Sequence, residues 1–189
     1  MARSVPPQEM SSPPTPVHPW YALKVRTKAE ELVQTALQRK GYELYLPTHL
    51  DLRQYSDRVK KVRTALFPGY VFCRLDITAR LPVLLTPYVE YFVSFNDEPV
   101  PVDESELDGV RAMLGSGLET KPWPYLISGD RVRVVVGSMA GVEGILVREK
   151  GSDLLIISVH LLQRSLSVQI DRTWIRPVSS DGTHIRREA

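Results

Sequence analysis

The residue types that most often do chemistry are sparse in this chain. Histidine can ligate metals or move protons, but His18, His49, His160 and His184 are scattered, and Cys73 has no neighbour at metal-ligand spacing. Neither a metal nor a cofactor is expected. Cys73 lies inside "VFCRL", a setting for a small buried apolar residue rather than a nucleophile. The glycines of "GSMAGVEG" (137–144) lack the Lys-Ser/Thr that a phosphate-binding loop needs. No nucleophile elbow or carboxylate pair stands out, so no enzyme is expected. The remaining chemistry is that of binding. Arg53, Arg58, Lys60, Lys61 and Arg63 crowd into one polar segment, with Lys24, Arg26 and Lys28 upstream, and such clusters suit phosphate contact. A charged hairpin also guards its own edge against pairing, so solvation is the competing reading. Phe67 and Tyr70 flank the Pro-Gly of "LFPGYVFCRLD" (66–76), directly before a dense apolar run. Both core packing and partner contact are open to that pair.

The elements that hold these residues sit in a chain of 189 residues, 43% of them apolar, enough for one medium domain or two small ones. Net charge is only +2, but it is unevenly spread. Residues 21–75 carry eleven Lys/Arg against five Asp/Glu, and residues 76–120 carry two against nine. A face that meets phosphate or acidic protein is implied, with another that repels them. One cysteine excludes an internal disulfide framework and fits a reducing compartment. No window nears the ~18 apolar residues of a membrane helix, and the first residues lack a signal peptide's apolar core. A cytoplasmic protein with no membrane partner is expected.

Residues 1–19 are rich in Pro, Ser and Thr and read as a disordered tail. "WYALKVRT" reads as a strand, "KAEELVQTALQRKG" as a helix stopped by Gly41, and "YELYLP" as a short strand. Residues 50–64 read as a basic hairpin turning at "SDR", and Tyr70 to Leu75 as a strand covered on both faces. "ITARLPVLLTP" suits a short helix with Pro82 in its first turn. "YFVSF" suits a strand, and "VDESELDGVRAMLGSG" a helix with Asp103 and Glu106 at capping-box spacing. "SGLETKPWPYLISG" reads as a linker. Short strands separated by tight turns follow, the pattern of a small closed barrel with Leu155, Ile157 and Val159 in its core. The expected fold is an α+β domain (20–117), antiparallel sheet with helices packed on it, then a linker (118–127), a small all-β SH3-like barrel (128–178) and a tail (179–189).

"GDRVRVVVGSMAGVEGILV" (129–147) resembles the KOW motif, with glycines at 129, 137, 141 and 144 for tight loops and a close backbone approach. Together with "WYALKVRTKAEELVQTALQRKGYELYLP", the basic hairpin, "LFPGYVFCRLD" and "LLTPYVEYFVSF", it resembles the NusG family over almost all of residues 20–178. "SDRVKKV", "PWPYL" and "SVHLLQRSLSVQIDRTWIRPV" resemble the UpxY-like branch of specialised antiterminators. The resemblance implies a monomeric, non-enzymatic bacterial protein that binds the clamp helices of RNA polymerase and suppresses pausing or termination, on particular operons. Carried over by motif, Phe67 and Tyr70 match the polymerase-binding aromatics, with Trp20 and Tyr21 on the adjacent strand. Lys24, Arg26, Lys28 and the five hairpin cations would lie near upstream or non-template DNA. The family's KOW contacts with the ribosome or Rho fall on Met139, Leu161, Leu162 and Arg164. Here Met139 replaces a loop aromatic, and Leu162-Gln163-Arg164 replaces aromatic-Gly-Arg, which argues against Rho. The alternatives are a housekeeping NusG or a ribosome-associated KOW protein that binds RNA.

Overall fold

A computed structural model describes residues 18–54 and 59–178. The front domain runs β1 (Trp20–Val25), α1 (Glu30–Arg39), β2 (Glu43–Tyr45), β3 (Thr48–Gln54), β4 (Val59–Ala65), β5 (Tyr70–Arg74), α2 (Leu81–Leu84), β6 (Val89–Phe92), β7 (Ser94–Phe95), β8 (Glu98–Pro99), β9 (Pro101–Val102) and α3 (Glu104–Gly115). Its sheet is antiparallel in the order β2-β5-β1-β6, with β9 also paired to β1. Successive side chains of a strand point to opposite sides, and both sides are covered here, so β1 and β5 are apolar apart from Lys24 and Arg74. Tyr21, Leu23, Val25, Val71, Cys73 and Leu75 pack with Val33 and Leu37 of α1 and Val83 of α2. Trp20, Ala22 and Phe72 join Leu107, Val110 and Met113 of α3 in the other cluster. The sheet is therefore sandwiched. Cys73 is fully buried, and burial together with the charge of Glu43 pushes its thiol up to about 12, which leaves it unreactive.

Local signals account for the helix ends. α1 has Glu30 and Glu31 in its first turn, and Gly41 follows it at φ +88°. Pro82 lies in the first turn of α2. Asp103 caps α3 by accepting from the backbone N–H of Ser105 at 2.8 Å. Asp76 and Asp171 do the same for Thr78 and Thr173 at the starts of single 3₁₀ turns. The hydroxyls of Thr78, Ser105 and Thr173 donate to the same carboxylates at 2.7 Å, and these bonds together with the backbone ones hold all three carboxyls below the usual carboxylate range. The expected capping box does not close, because the carboxylate of Glu106 turns away to bond His160 in the C-terminal domain.

That domain contains β10 (Thr120–Trp123), β11 (Asp130–Val134), β12 (Glu143–Glu149), β13 (Ser152–Val159), β14 (Arg164–Gln169) and β15 (Ile175–Pro177). They form one antiparallel sheet in the order β10-β14-β13-β12-β11-β15. The expected linker at 118–127 is corrected in part, since Thr120–Trp123 pairs with β14 from Thr120↔Val168 to Trp123↔Ser165. Pro122 hides this strand from sequence reading, yet an edge strand tolerates a proline because one side of it makes no ladder bonds. Buried side chains run without a break from Trp20, Phe67 and Phe72 through α3 to Val132, Leu155, Ile157 and Leu166. The two domains share one core. No helix among the described residues is long and apolar enough to cross a membrane.

Candidate functional site

The Pro-Gly turn before β5 is fixed from two directions. Gly69, at φ +81°, donates its N–H to Oε1 of Glu30 at 2.7 Å and accepts from the N–H of Val25 at 2.9 Å. Glu30 is itself buried, and the bond to Gly69 gives its carboxylate a partner. The positive φ explains why glycine occupies this position. The N–H of Tyr70 then closes the turn on the carbonyl of Phe67 at 3.1 Å. Sequence reading gave Glu30 no role beyond membership of the helix. Only the fold reveals that it ties α1 to the turn.

The four aromatics expected to meet a partner are not equivalent. Phe67 is 1% exposed and stands edge-on to Phe72 with ring centroids 6.0 Å apart. Trp20 is buried on the α3 side, edge-on to Tyr45, with the guanidiniums of Arg74 and Arg111 over its ring at 4.8 and 5.1 Å. Burial pushes the Tyr45 hydroxyl up to about 12 and keeps it neutral. Tyr21 points to the opposite side, against Phe92. Direct surface contact by Phe67, Trp20 and Tyr21 is therefore corrected to packing in this arrangement. α3 covers one face of β1, and α1 and α2 cover the other. Tyr70 alone of the four is partly exposed.

Around Tyr70 the strands build a row. Lys24 pairs with Tyr70 on β5 and with Tyr91 on β6, so the three side chains stand side by side on three strands. Lys24 Nζ sits 4.8 Å from the Tyr70 ring centroid. Tyr91 is 54% exposed, and Phe95, just beyond it, is 71% exposed. Sequence reading missed Tyr91 and Phe95 as surface residues. Burying Phe92 puts Tyr91 on the opposite face of β6, and the ring is exposed there because β6 is the edge strand.

Arg26 and Lys28 are exposed past the end of β1. On the hairpin β3–β4, Lys61 and Arg63 are exposed, and Arg53 and Lys60 are partners in the backbone register. Arg58 falls outside the described residues. In the C-terminal domain Met139 and Leu162 are buried, Leu161 packs on the shared core, and only Arg164 is freely exposed. The expected contact at Met139 and Leu162 is thereby corrected to core packing. Gly144 fits its expected role, since a Cβ there would lie 2.5 Å from the carbonyl oxygen of Ile156. No group of three His, Cys, Asp or Glu placed to hold a metal occurs among the described residues.

Residues 18–111, which comprise this sandwich, match the family model described as transcription termination factor NusG. The front domain belongs to the NusG family. The transcription termination/antitermination protein NusG of Helicobacter pylori is 27% identical to it over 134 residues, 64% of this chain and 76% of the relative. The NusG of Lactococcus lactis is 27% identical over 169 residues, 85% of this chain and 90% of the relative. A solved structure described as domain interaction in Thermotoga maritima NusG has a TM-score of 0.49 and 23% identity, covering 85% of this chain and 97% of that one. The NusG-like organisation is an N-terminal domain followed by a β-rich C-terminal one, and the family is one of transcription factors rather than enzymes.

Proposed function

We propose that this protein is an elongation and antitermination factor that docks on RNA polymerase through the end of its front sheet. It acts in the cytoplasm on particular operons, and its C-terminal sheet is a KOW domain. The observation that carries the reading is the Tyr70–Lys24–Tyr91 row, with exposed Phe95 four residues further along the chain. Aromatic rings left partly uncovered at the end of an otherwise covered sheet are suited to an apolar partner surface. Phe67 lies beneath as the floor that sets the height of Tyr70. Lys24 in the row, Arg26 and Lys28 just after β1, and the hairpin cations would track the phosphates of upstream or non-template DNA. Burial of Met139 and Leu162 supports a role without Rho, because the apolar contact those positions would offer is used internally. Arg164 and Leu161 are what the KOW domain keeps for a ribosomal contact.

The test is a binding titration against a purified elongation complex, with pausing read in the same samples. Tyr70→Ala should stay folded and weaken binding at least roughly ten-fold, the loss of a central interface aromatic. Changing Lys61 and Arg63 to glutamine should flatten the salt dependence instead. A folded Tyr70→Ala protein that binds and suppresses pausing like the parent would exclude this docking surface.

A further inference from the structure

The last strand of the C-terminal sheet lies at its edge, and the outer face there is basic. β15 pairs with β11 through Arg133↔Arg176 and Val134↔Ile175. The N–H of Val135 donates to the carbonyl of Trp174 at 2.7 Å, which carries the ladder one step further. Val132, Val134 and Ile175 are buried, so the alternate residues stand on the outer face. These are Arg131, Arg133 and Val135, with Trp174 and Arg176 beside them, and all five are exposed. Arg172 is exposed in the 3₁₀ turn that ends at Trp174. Among the described residues one carboxylate is bridged to this group, that of Glu143. It takes Arg131 at 3.4 Å and Nε of Arg133 at 2.9 Å. Arg176 donates to the carbonyls of Ile175 and Thr173 at 2.9 and 3.3 Å. Asp171 is committed to Thr173, and Asp130 has the opposite parity on β11. Four guanidiniums therefore share one acid. Trp174, 37% exposed, is also a wall of a cleft of about 570 Å³. Leu118 and Leu154 make that cleft apolar, and Ser167 and Gln169 add polar groups. Its cation, Lys121, is bridged to Glu119 at 3.0 Å.

We infer that the outer face of β11 and β15 binds single-stranded RNA, with the arginines on its phosphates and a base stacked on Trp174 at the cleft. Alternate residues of a strand stand about 6.8 Å apart, close to the separation of successive phosphates along an extended single strand. Arg131 and Arg133 have that spacing on β11, and Arg176 lies across from Arg133. A guanidinium row beside an open indole is the combination that holds unpaired nucleotides, since phosphates take the charge and a base takes the ring. A duplex hides its base faces and gives the indole nothing to stack on. An acidic peptide satisfies the arginines but leaves the ring idle. Gln169 and Ser167 offer both donors and acceptors to the edge of a base that enters the cleft. RNA is preferred to DNA because its 2′-hydroxyl gives the guanidinium N–H groups left over from Glu143 a further acceptor. The choice of RNA also rests on the proposed function, which brings the domain close to a growing transcript. The surface itself does not. None of its residues is among those expected to meet the ribosome or Rho.

The full chain is titrated into dye-labelled oligo(U) and oligo(dT) of about twelve nucleotides, a length suited to one small barrel, with anisotropy read across a salt series. No polymerase is present. Oligo(U) should bind more tightly than oligo(dT). Trp174→Ala should weaken oligo(U) binding roughly five-fold or more, the worth of one stacked base, and Trp174→Phe should keep most of the affinity. Arg133→Gln with Arg176→Gln should reduce the slope of log affinity against log salt by about 1.4, at about 0.7 for each phosphate released. Both positions are at the surface, so this arm stands even if Trp174→Ala does not fold. Glu143→Gln frees two arginines and should bind more tightly than the parent. The Trp174 effect should persist when Lys61 and Arg63 on the front hairpin are changed to glutamine. Unchanged affinity in a folded Trp174→Ala protein, or an unchanged salt slope in the double arginine variant, overturns the surface. Oligo(dT) bound as tightly as oligo(U) overturns the assignment to RNA. Polyglutamate that displaces oligo(U) at matched charge overturns it too, and gives the face to an acidic protein. The polymerase titration of Tyr70→Ala is a separate measurement, so either reading can fail while the other stands.

Discussion

Replacing Phe67 with alanine should destabilise the protein by about 3–5 kcal/mol, the range for deleting a fully buried aromatic ring. Phe67 has Phe72 edge-on to it and lies in the cluster that runs through α3. Removing it leaves a void that the Pro68-Gly69 turn cannot fill, because Glu30 and Val25 hold Gly69 in place. Tyr70→Ala should cost clearly less, about 1–2 kcal/mol, since its ring is only partly buried at the edge of that cluster. Urea unfolding of the two variants separates these outcomes, and the polymerase titration then shows the reverse order per folded molecule. A Phe67→Ala protein within about 1 kcal/mol of the parent would mean that the ring is not core. Its kinship with Tyr70 in the sequence motif would then be functional rather than architectural.

Gly144→Ala is expected to be nearly as severe, for a different reason. The added Cβ would stand 2.5 Å from the carbonyl oxygen of Ile156 and 2.9 Å from Cδ1 of Leu155. A side-chain methyl can swing aside, but the carbonyl belongs to the ladder in which Ile145 pairs with Ile156. Relief requires β12 and β13 to separate, at a cost of about 3 kcal/mol, the upper end for overpacking. Because the core is continuous, the loss should reach α3. Amide exchange should quicken at Val110 and Met113 as well as along β13. Fast exchange confined to the C-terminal sheet would show that the shared core does not couple the domains. Unaltered stability would show that the strands tolerate the closer side chain.

The sequence was most readable where one periodicity dominated. The 3.6-residue pattern of Val33 and Leu37 marks α1, and regular short strands mark the C-terminal sheet. Pro82 and Asp103 announce helix starts in the residues themselves. What could not be read is what covers a face. Phe67 and Tyr70 look alike in "LFPGY", and only the placement of α3 makes one interior and leaves the other at the rim. Glu106 had capping spacing, but a group more than fifty positions away in the chain took its carboxylate. Long-range competition of that kind leaves no local trace. Likewise Thr120–Trp123 carries linker composition, yet it pairs because β14 offers a free edge.

That short strand governs how far the C-terminal domain can travel. Since β10 is built into the domain's sheet, the only slack between the end of α3 and that sheet is residues 116–119. Four residues drawn straight reach about 14 Å. A domain on so brief a leash can tilt or swivel about the foot of α3, but it cannot search a large volume. Whatever it meets while the front domain is engaged must already be waiting within that leash plus the width of the domain itself.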